Sequence, residues 1–355
     1  MRGIANMKIC FYYSFPTQKD WNDPDMEGSG LPGSEAAIVQ ITRELSKRHE
    51  VTVFNKTLRE GIFNGVGYRN IGKFDYREKW DVMVVVRGQP PRLDLVPAKL
   101  KLYWSIEENS NLVKDWTKLL PFVKKVITIS SFHTQELLKN TEVPRDKIYQ
   151  TRLGINDKEY STVLPKIKNK LIYCSVPRKG LDNMVQIFPL VKKVIPDARL
   201  VITSDYTLWG RKPQNEKYKK AFMRIPGVSF LGRIERERLI YEQKTSQLHV
   251  YPCTFKELFC ISAMECQAAG TPSICSEIGA LSTTIRDGVT GRVVKMKNGS
   301  VPIAEFAQEI IKLLKNPIEI ARMSKSARER ALGYFTYDKI VREWEEKFYI
   351  WLQGE

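Results

Sequence analysis

The chain has 355 residues, a length that favours two domains over one. Its hydrophobic fraction of 43%, with 15 Phe, 15 Tyr and 7 Trp, supplies enough apolar surface to exclude a disordered chain. Lys and Arg (57) exceed Asp and Glu (40) by 17, a balance that suits phosphates, nucleic acid or an anionic membrane face without choosing among them.

Lys8–Phe15 reads as a first strand rather than a signal peptide: its apolar part is short, no small-residue cleavage site follows, and Pro16 ends it. Met1–Asn6 reads as leader or tag residues, with Met7 a plausible start. A glycine loop then leads into a helix over Glu35–Arg48, whose apolar positions 37, 38, 41 and 45 have helical spacing. Glu50–Phe54, Asp81–Val86, Lys101–Trp104 and Lys125–Ile129 continue as strands, with His49 in the turn before the first of these. His133 opens a helix and reads as a surface residue. The Val82–Val86 run is too apolar for a one-sided sheet and far too short for a membrane span.

Asn156–Lys168 is polar, contains Pro165 and reads as a linker. Beyond it the pattern restarts with strands at Lys170–Tyr173, Ala198–Ile202, Val228–Phe230, Leu248–Tyr251 and Ser273–Ser276. Helices are predicted at Gly180–Val194, Arg236–Thr245 and Ile261–Ala269. Tyr337–Leu352 carries Ile340, Val341, Trp344, Phe348 and Trp351 near one face, the spacing of a terminal helix docked on a core. The fold class is therefore α/β, with parallel sheets covered on both faces. The expected domains are 1–156, 157–336 and a C-terminal helix, 337–355, packing back on the first domain.

The six cysteines, at 10, 174, 253, 260, 266 and 275, form no CxxC pair and no zinc-like spacing with the three histidines. Scattered in apolar stretches, they read as reduced, buried and intracellular. No metal site is expected.

Two loops carry chemistry. Gly33 and Ser34 close the first glycine loop at a helix start, where unpaired N–H groups suit a phosphate or sugar hydroxyl and where Ser34 could equally be an N-cap. The stronger constellation runs from Tyr251 to Pro272. Glu257 lies on the loop after a strand, and Glu265 lies inside the following helix, whose side chains tilt back toward its N-terminus. Between them the amides of Phe259, Cys260 and Ile261 enter the first turn. Two carboxylates for hydroxyls flanking amides for a diphosphate meet the needs of a nucleotide-sugar. At the end of an earlier strand, Arg178 and Lys179 can neutralise a leaving pyrophosphate. Tyr206, Trp209, Arg211 and Lys212 could border a base or an acceptor, or be structural filler.

These motifs resemble those of the retaining glycosyltransferases of family 4, group 1 enzymes of GT-B architecture with two facing Rossmann-like domains and a deep interdomain cleft. The matching signature is Pro252, Glu257-x-Phe259, Met264-Glu265-x-x-Ala268-x-Gly270-Thr271-Pro272, Gly279 and Asp287-Gly288-x-x-Gly291. Phe230-Leu231-Gly232-Arg233, Lys124–Ser130, Leu153–Asn156 and Gly33-Ser34-Glu35 match upstream, so the resemblance covers nearly the whole chain. It implies that Glu265 binds the ribose hydroxyls and Glu257 the donor sugar, with the amides at Cys260 and Ile261 on the diphosphate. It also implies front-face transfer with retention, no metal and no cofactor beyond a UDP-, GDP- or ADP-linked sugar substrate.

The sequence departs from the family twice. Tyr173-Cys174 stands where the family has a Gly-Arg cation, so Arg178 or Arg233 would substitute; Cys260 replaces a glycine, narrowing the donor pocket. On the acceptor side, Arg87, Glu107 and Glu108 follow strands facing the expected cleft.

The expected activity is retaining hexosyl transfer to a hydroxyl acceptor: a glycan, or a lipid-linked or protein-linked group. The rivals are a sugar-nucleotide epimerase and a basic nucleic-acid-binding protein; no nucleic-acid module is present, so no specific nucleic acid is expected as a partner. The basic runs Lys99–Lys101, Lys114–Lys125 and Lys166–Lys170 suit either solvent or peripheral contact with an anionic membrane. The expected location is cytoplasmic, with the inner membrane face as a docking surface.

Overall fold

Two series of βα units build two separate sheets. The computed structural model describes residues 6–15, 20–28, 30–88, 91–107, 113, 115–203, 205–209 and 216–354, without the side chains of 208, 209, 216 and 217. The chain divides into one unit of Met1–Met26, Gly33–Leu153 and Tyr337–Glu355, and a second of Glu27–Pro32 and Gly154–Thr336.

The first unit holds β1 (Lys8–Tyr13), β2 (Glu50–Asn55), β3 (Gly61–Phe63), β4 (Val66–Asn70), β5 (Trp80–Val86), β6 (Ala98–Trp104), β7 (Lys125–Thr128) and β8 (Ile148–Gln150). Their order is β3-β4-β2-β1-β5-β6-β7-β8, with every pairing parallel except the β3–β4 hairpin. The apolar run in β5 is buried on both faces, and Val84 lies between Phe11 of β1 and Leu102 of β6. Helix α1 (Gly33–Ser46) buries Ala37, Ile38, Ile41 and Leu45, the stripe its spacing predicts. Two further helices follow, α2 (Trp116–Leu119) and α3 (Ser131–Asn140).

The second unit begins with β9 (Lys170–Cys174), α4 (Leu181–Val194), β10 (Arg199–Thr203), α5 (Glu216–Met223), β11 (Val228–Gly232), α6 (Arg236–Thr245) and β12 (Leu248–Tyr251). It continues through α7 (Ile261–Ala268), β13 (Ser273–Ser276), α8 (Leu281–Thr284), β14 (Gly291–Val294), α9 (Ile303–Leu314) and α10 (Pro317–Tyr334). The all-parallel strand order is β11-β10-β9-β12-β13-β14. Strand order reverses between β9 and β12, and in sheets of this kind ligands bind beyond the carboxyl ends of the strands at that reversal. Cys174 and Tyr251 end those two strands, so the loops carrying Lys179 and Glu257 start side by side.

The chain crosses back at Thr336, and α11 (Tyr337–Leu352) packs within the first unit. Trp344 is fully buried edge-on against Trp104 at 5.1 Å, and its indole N–H donates to Thr151 Oγ1. Arg152 pairs with Glu343 at 2.6 Å, and Glu345 takes both Arg48 and His49.

Three expectations change. His133 is buried, because Ser130 caps α3 and turns the imidazole inward onto Ser105 Oγ and the Ile129 amide. Asn156–Lys168 is no free linker: it contains a 3₁₀ turn at Asp157–Tyr160, and the buried Tyr160 hydroxyl donates to Gln243. The stretch between β2 and β5 holds the β3–β4 hairpin, which the strand series passes over.

Candidate donor site and first-unit charge cluster

Lys179 closes a 3₁₀ turn, Pro177–Lys179, immediately after β9. Gly180 then adopts φ +115°, and a Cβ there would stand 2.2 Å from the Pro252 carbonyl oxygen. That oxygen also accepts from Asn183 Nδ2. Only glycine lets the lysine turn lie directly on the β12 loop. On the other side of that loop, a Cβ at Gly279 would meet the Glu257 carbonyl oxygen at 2.3 Å, and the Ala280 amide donates to the same oxygen. The Glu257 backbone is thus clamped between elements.

Its carboxylate is buried. Glu257 Oε1 accepts from Lys179 Nζ at 2.7 Å and from the Tyr251 hydroxyl at 2.5 Å. Burial opposes the charge on Lys179, but the Glu257 carboxylate outweighs it, and the lysine pKa is raised. Arg178 is exposed beside it, and the two cations share the ring of Phe255, at 5.2 Å and 5.0 Å from its centroid.

Cys260 leads into α7 with φ +80°, a left-handed conformation that a non-glycine residue rarely adopts. Ile261 starts the helix, so the first-turn amides that lack intrahelical acceptors lie just beyond Phe259 and Cys260. The Cys260 thiol, pushed up by burial, sits 3.4 Å from Ser262 Oγ. One turn on, Glu265 is held by Arg236 Nη1 at 2.7 Å and by Gln243 Nε2 at 3.1 Å. Arg236 also binds Glu159, and Gln243 is fixed in turn by Tyr160. Glu257 and Glu265 are thus each paired with a cation, Lys179 and Arg236 respectively.

Gly232 ends β11 with φ +66°. Arg233 donates to the carbonyls of Gly30, at 2.7 Å, and Thr207, at 3.3 Å, within the second unit.

In the first unit, α1 starts at Gly33, not Ser34, and the Ser34 hydroxyl donates to Glu107 at 3.3 Å instead of capping the helix. Arg87 pairs with Glu107 at 2.8 Å, approaches Glu35 at 3.7 Å, donates to Tyr13 and stacks on Phe15 at 3.6 Å. Glu35 is buried, and its Oε2 has no hydrogen-bond partner among the described residues; burial raises its pKa, offset in part by Arg87 and by the Tyr13 hydroxyl bond. The cluster lies beyond β1 and β5, where this sheet's strand order also reverses. Glu108, Arg211, Lys212 and the side chain of Trp209 lie outside the described residues.

Sequence reasoning gave no role to Arg236, Gln243, Tyr251 and Glu35, whose importance comes from the partners the fold brings to them. It also found no zinc-like spacing. The fold nevertheless brings Cys174, His249 and Cys266 into one group.

Residues 158–330, nearly all of the second unit, match the family described as glycosyl transferases group 1. The chain is 23% identical over 249 residues to an MMP alpha-(1->4)-mannosyltransferase of Mycolicibacterium hassiacum, covering 65% of this chain and 57% of that protein. It spans 36–59% of the length of curated mannosyltransferases that it matches. Among solved structures it is similar to sucrose-phosphate synthase from Thermosynechococcus elongatus, with a TM-score of 0.70 and 17% identity over 98% of this chain and 100% of that one. Anabaena Alr3699/HepE, solved in complex with UDP-glucose, superposes with a TM-score of 0.70 and 13% identity, over 96% and 99% of the two chains. At these identities the likeness is one of fold: the chain has the GT-B fold, built from two Rossmann-like α/β units.

Proposed function

We propose that the chain is a retaining glycosyltransferase of family 4, moving a hexosyl unit from a nucleotide diphosphate-sugar to a hydroxyl acceptor without a catalytic metal. The observation that carries this reading is the clamped Glu257 carboxylate, held by Lys179 at 2.7 Å on the loop that opens α7. Glu257 accepts hydroxyls of the donor sugar, and Glu265, oriented by Arg236 and Gln243, accepts those of the ribose. The amides at Cys260 and Ile261 hold the diphosphate, next to Phe259.

Negative charge grows on the leaving phosphate as the glycosidic bond breaks, and a preorganised cation there lowers the barrier. Lys179 supplies one such cation. Arg178, beside it on the same ring, supplies the second, whereas Arg233 is engaged with the carbonyls of Gly30 and Thr207. The donor phosphate oxygen takes the acceptor proton, and the acceptor attacks from the face the phosphate leaves. Gly33 and Ser34 bind the donor, Arg87 and Glu107 belong to the acceptor side, and a glycan or lipid-linked hydroxyl is the acceptor class. The chain acts in the cytoplasm, with anionic membrane as a peripheral surface.

A thermal-shift screen against UDP-, GDP- and ADP-sugars tests the reading. A wild-type chain stabilised by one of them, with the shift lost in Glu265→Ala, supports it; no shift with any of the three overturns it.

A further inference from the structure

Three side chains that the donor site does not use converge in the core of the second unit. Cys174 ends β9, His249 lies in β12 and Cys266 in α7; their ligand atoms all fall within 4.8 Å of one another. All three residues are buried, and Cys174 Sγ lies 3.7 Å from Cys266 Sγ. The imidazole is oriented by Ser273 Oγ, 3.0 Å from Nδ1, and stacks on the Tyr251 ring. Its other nitrogen, Nε2, is buried with no hydrogen-bond partner among the described residues.

A buried polar atom left unpaired costs roughly 1–3 kcal/mol, so this nitrogen calls for a ligand. Thiolates and imidazole are ligands that suit zinc, and a hydrogen-bond partner on the far ring nitrogen, here Ser273 Oγ, orients a metal-binding histidine. Two thiolates at ~2.3 Å from a tetrahedral ion have sulfurs about 3.8 Å apart, close to the separation here. Two thiolates and a neutral imidazole would also cancel a double positive charge, which matters where no water screens it.

We propose that Cys174, His249 and Cys266 form a buried site for one thiophilic divalent cation, Zn²⁺, which ties β9, β12 and α7 together. The role is structural: the ion fixes the helix segment on which Glu265 immediately precedes Cys266. The site stands independently of the glycosyltransferase reading.

The full chain, purified in a reducing, metal-free buffer, is titrated with Co²⁺ and then Zn²⁺. One equivalent of Co²⁺ should bind with thiolate-to-cobalt charge-transfer absorption, which Zn²⁺ should displace. A 100-fold excess of Zn²⁺ over its Kd should raise Tm by roughly 5 °C or more. His249→Gln and Cys266→Ser, each checked by circular dichroism, should weaken binding at least tenfold. Ser273→Ala keeps all three ligands and should weaken it roughly tenfold. The site is overturned if folded wild-type chain binds no Co²⁺, if binding gives no thiolate band, or if the band survives unchanged in Ser273→Ala and in whichever ligand variants fold.

Discussion

Individual side chains in this protein are tuned by what they pack against. Cys260 occupies a left-handed backbone position that glycine would take without strain. Cys260→Gly should therefore stay within about 1 kcal/mol of wild type, while the β-branched Cys260→Val should cost about 1–3 kcal/mol. Denaturant unfolding of the two variants measures both. His133 offers a pH test. Burial lowers its pKa from 6.5 to about 4, so between those values the unfolded chain binds the proton and the folded chain does not. Stability should fall as pH drops through that window, by about 3 kcal/mol at most from this group, and His133→Gln should flatten the slope. Urea midpoints at pH 4, 5, 6 and 7 report it.

At the scale of elements, close approach and returning chain do the organising. The Gly180 and Gly279 positions press neighbouring backbone against the β12 loop. Gly180→Ala and Gly279→Ala should each cost about 2–4 kcal/mol and weaken donor-induced thermal shifts more than a surface glycine substitution does. Trp344→Ala, which empties the space against Trp104, should destabilise the first unit by about 3–5 kcal/mol in a denaturant titration.

Several elements were legible in the sequence: α6, β12, β13 and α11 have the bounds that the pattern predicts. The β3–β4 hairpin was not, because its strands are short and one lies at the sheet edge. A signal was nonetheless present in Asn64-Gly65, which take φ +48° and +81°, the pairing a tight hairpin turn demands. His133 misled because a polar residue near a helix start looks solvated until Ser105 and Ile129 are known to face it. Glu257 and Glu265 were legible as a pair with a spacing. Their partners Lys179 and Arg236 lie 78 and 29 positions away, and only the folded sheet joins them.

For the whole molecule, the excess of 17 positive charges exceeds what one diphosphate can use. Many cations are already paired locally, as Arg59 is with Asp25 and Lys99 with Asp81. No described helix is long and apolar enough to cross a membrane. On the peripheral reading, the chain should co-sediment with anionic but not neutral liposomes, and the binding should fade as salt rises from 50 to 500 mM and shortens the Debye length. Binding to neither kind of liposome at low salt removes that reading.

On the proposed reading, Lys179 and Glu257 are each other's counter-ions at the donor site. A nucleoside diphosphate arriving alone would draw Lys179 toward phosphate and strand a buried carboxylate, whereas a ligand that also offers sugar hydroxyls restores both partners at once. The exchange works as a two-key lock in which anion and hydroxyl must be presented together. On that reading, discrimination between a nucleotide-sugar and its free nucleotide follows from the Lys179–Glu257 pair. Glu257→Gln should narrow the gap between the affinities for a nucleotide-sugar and for its free nucleoside diphosphate, measured side by side by calorimetry.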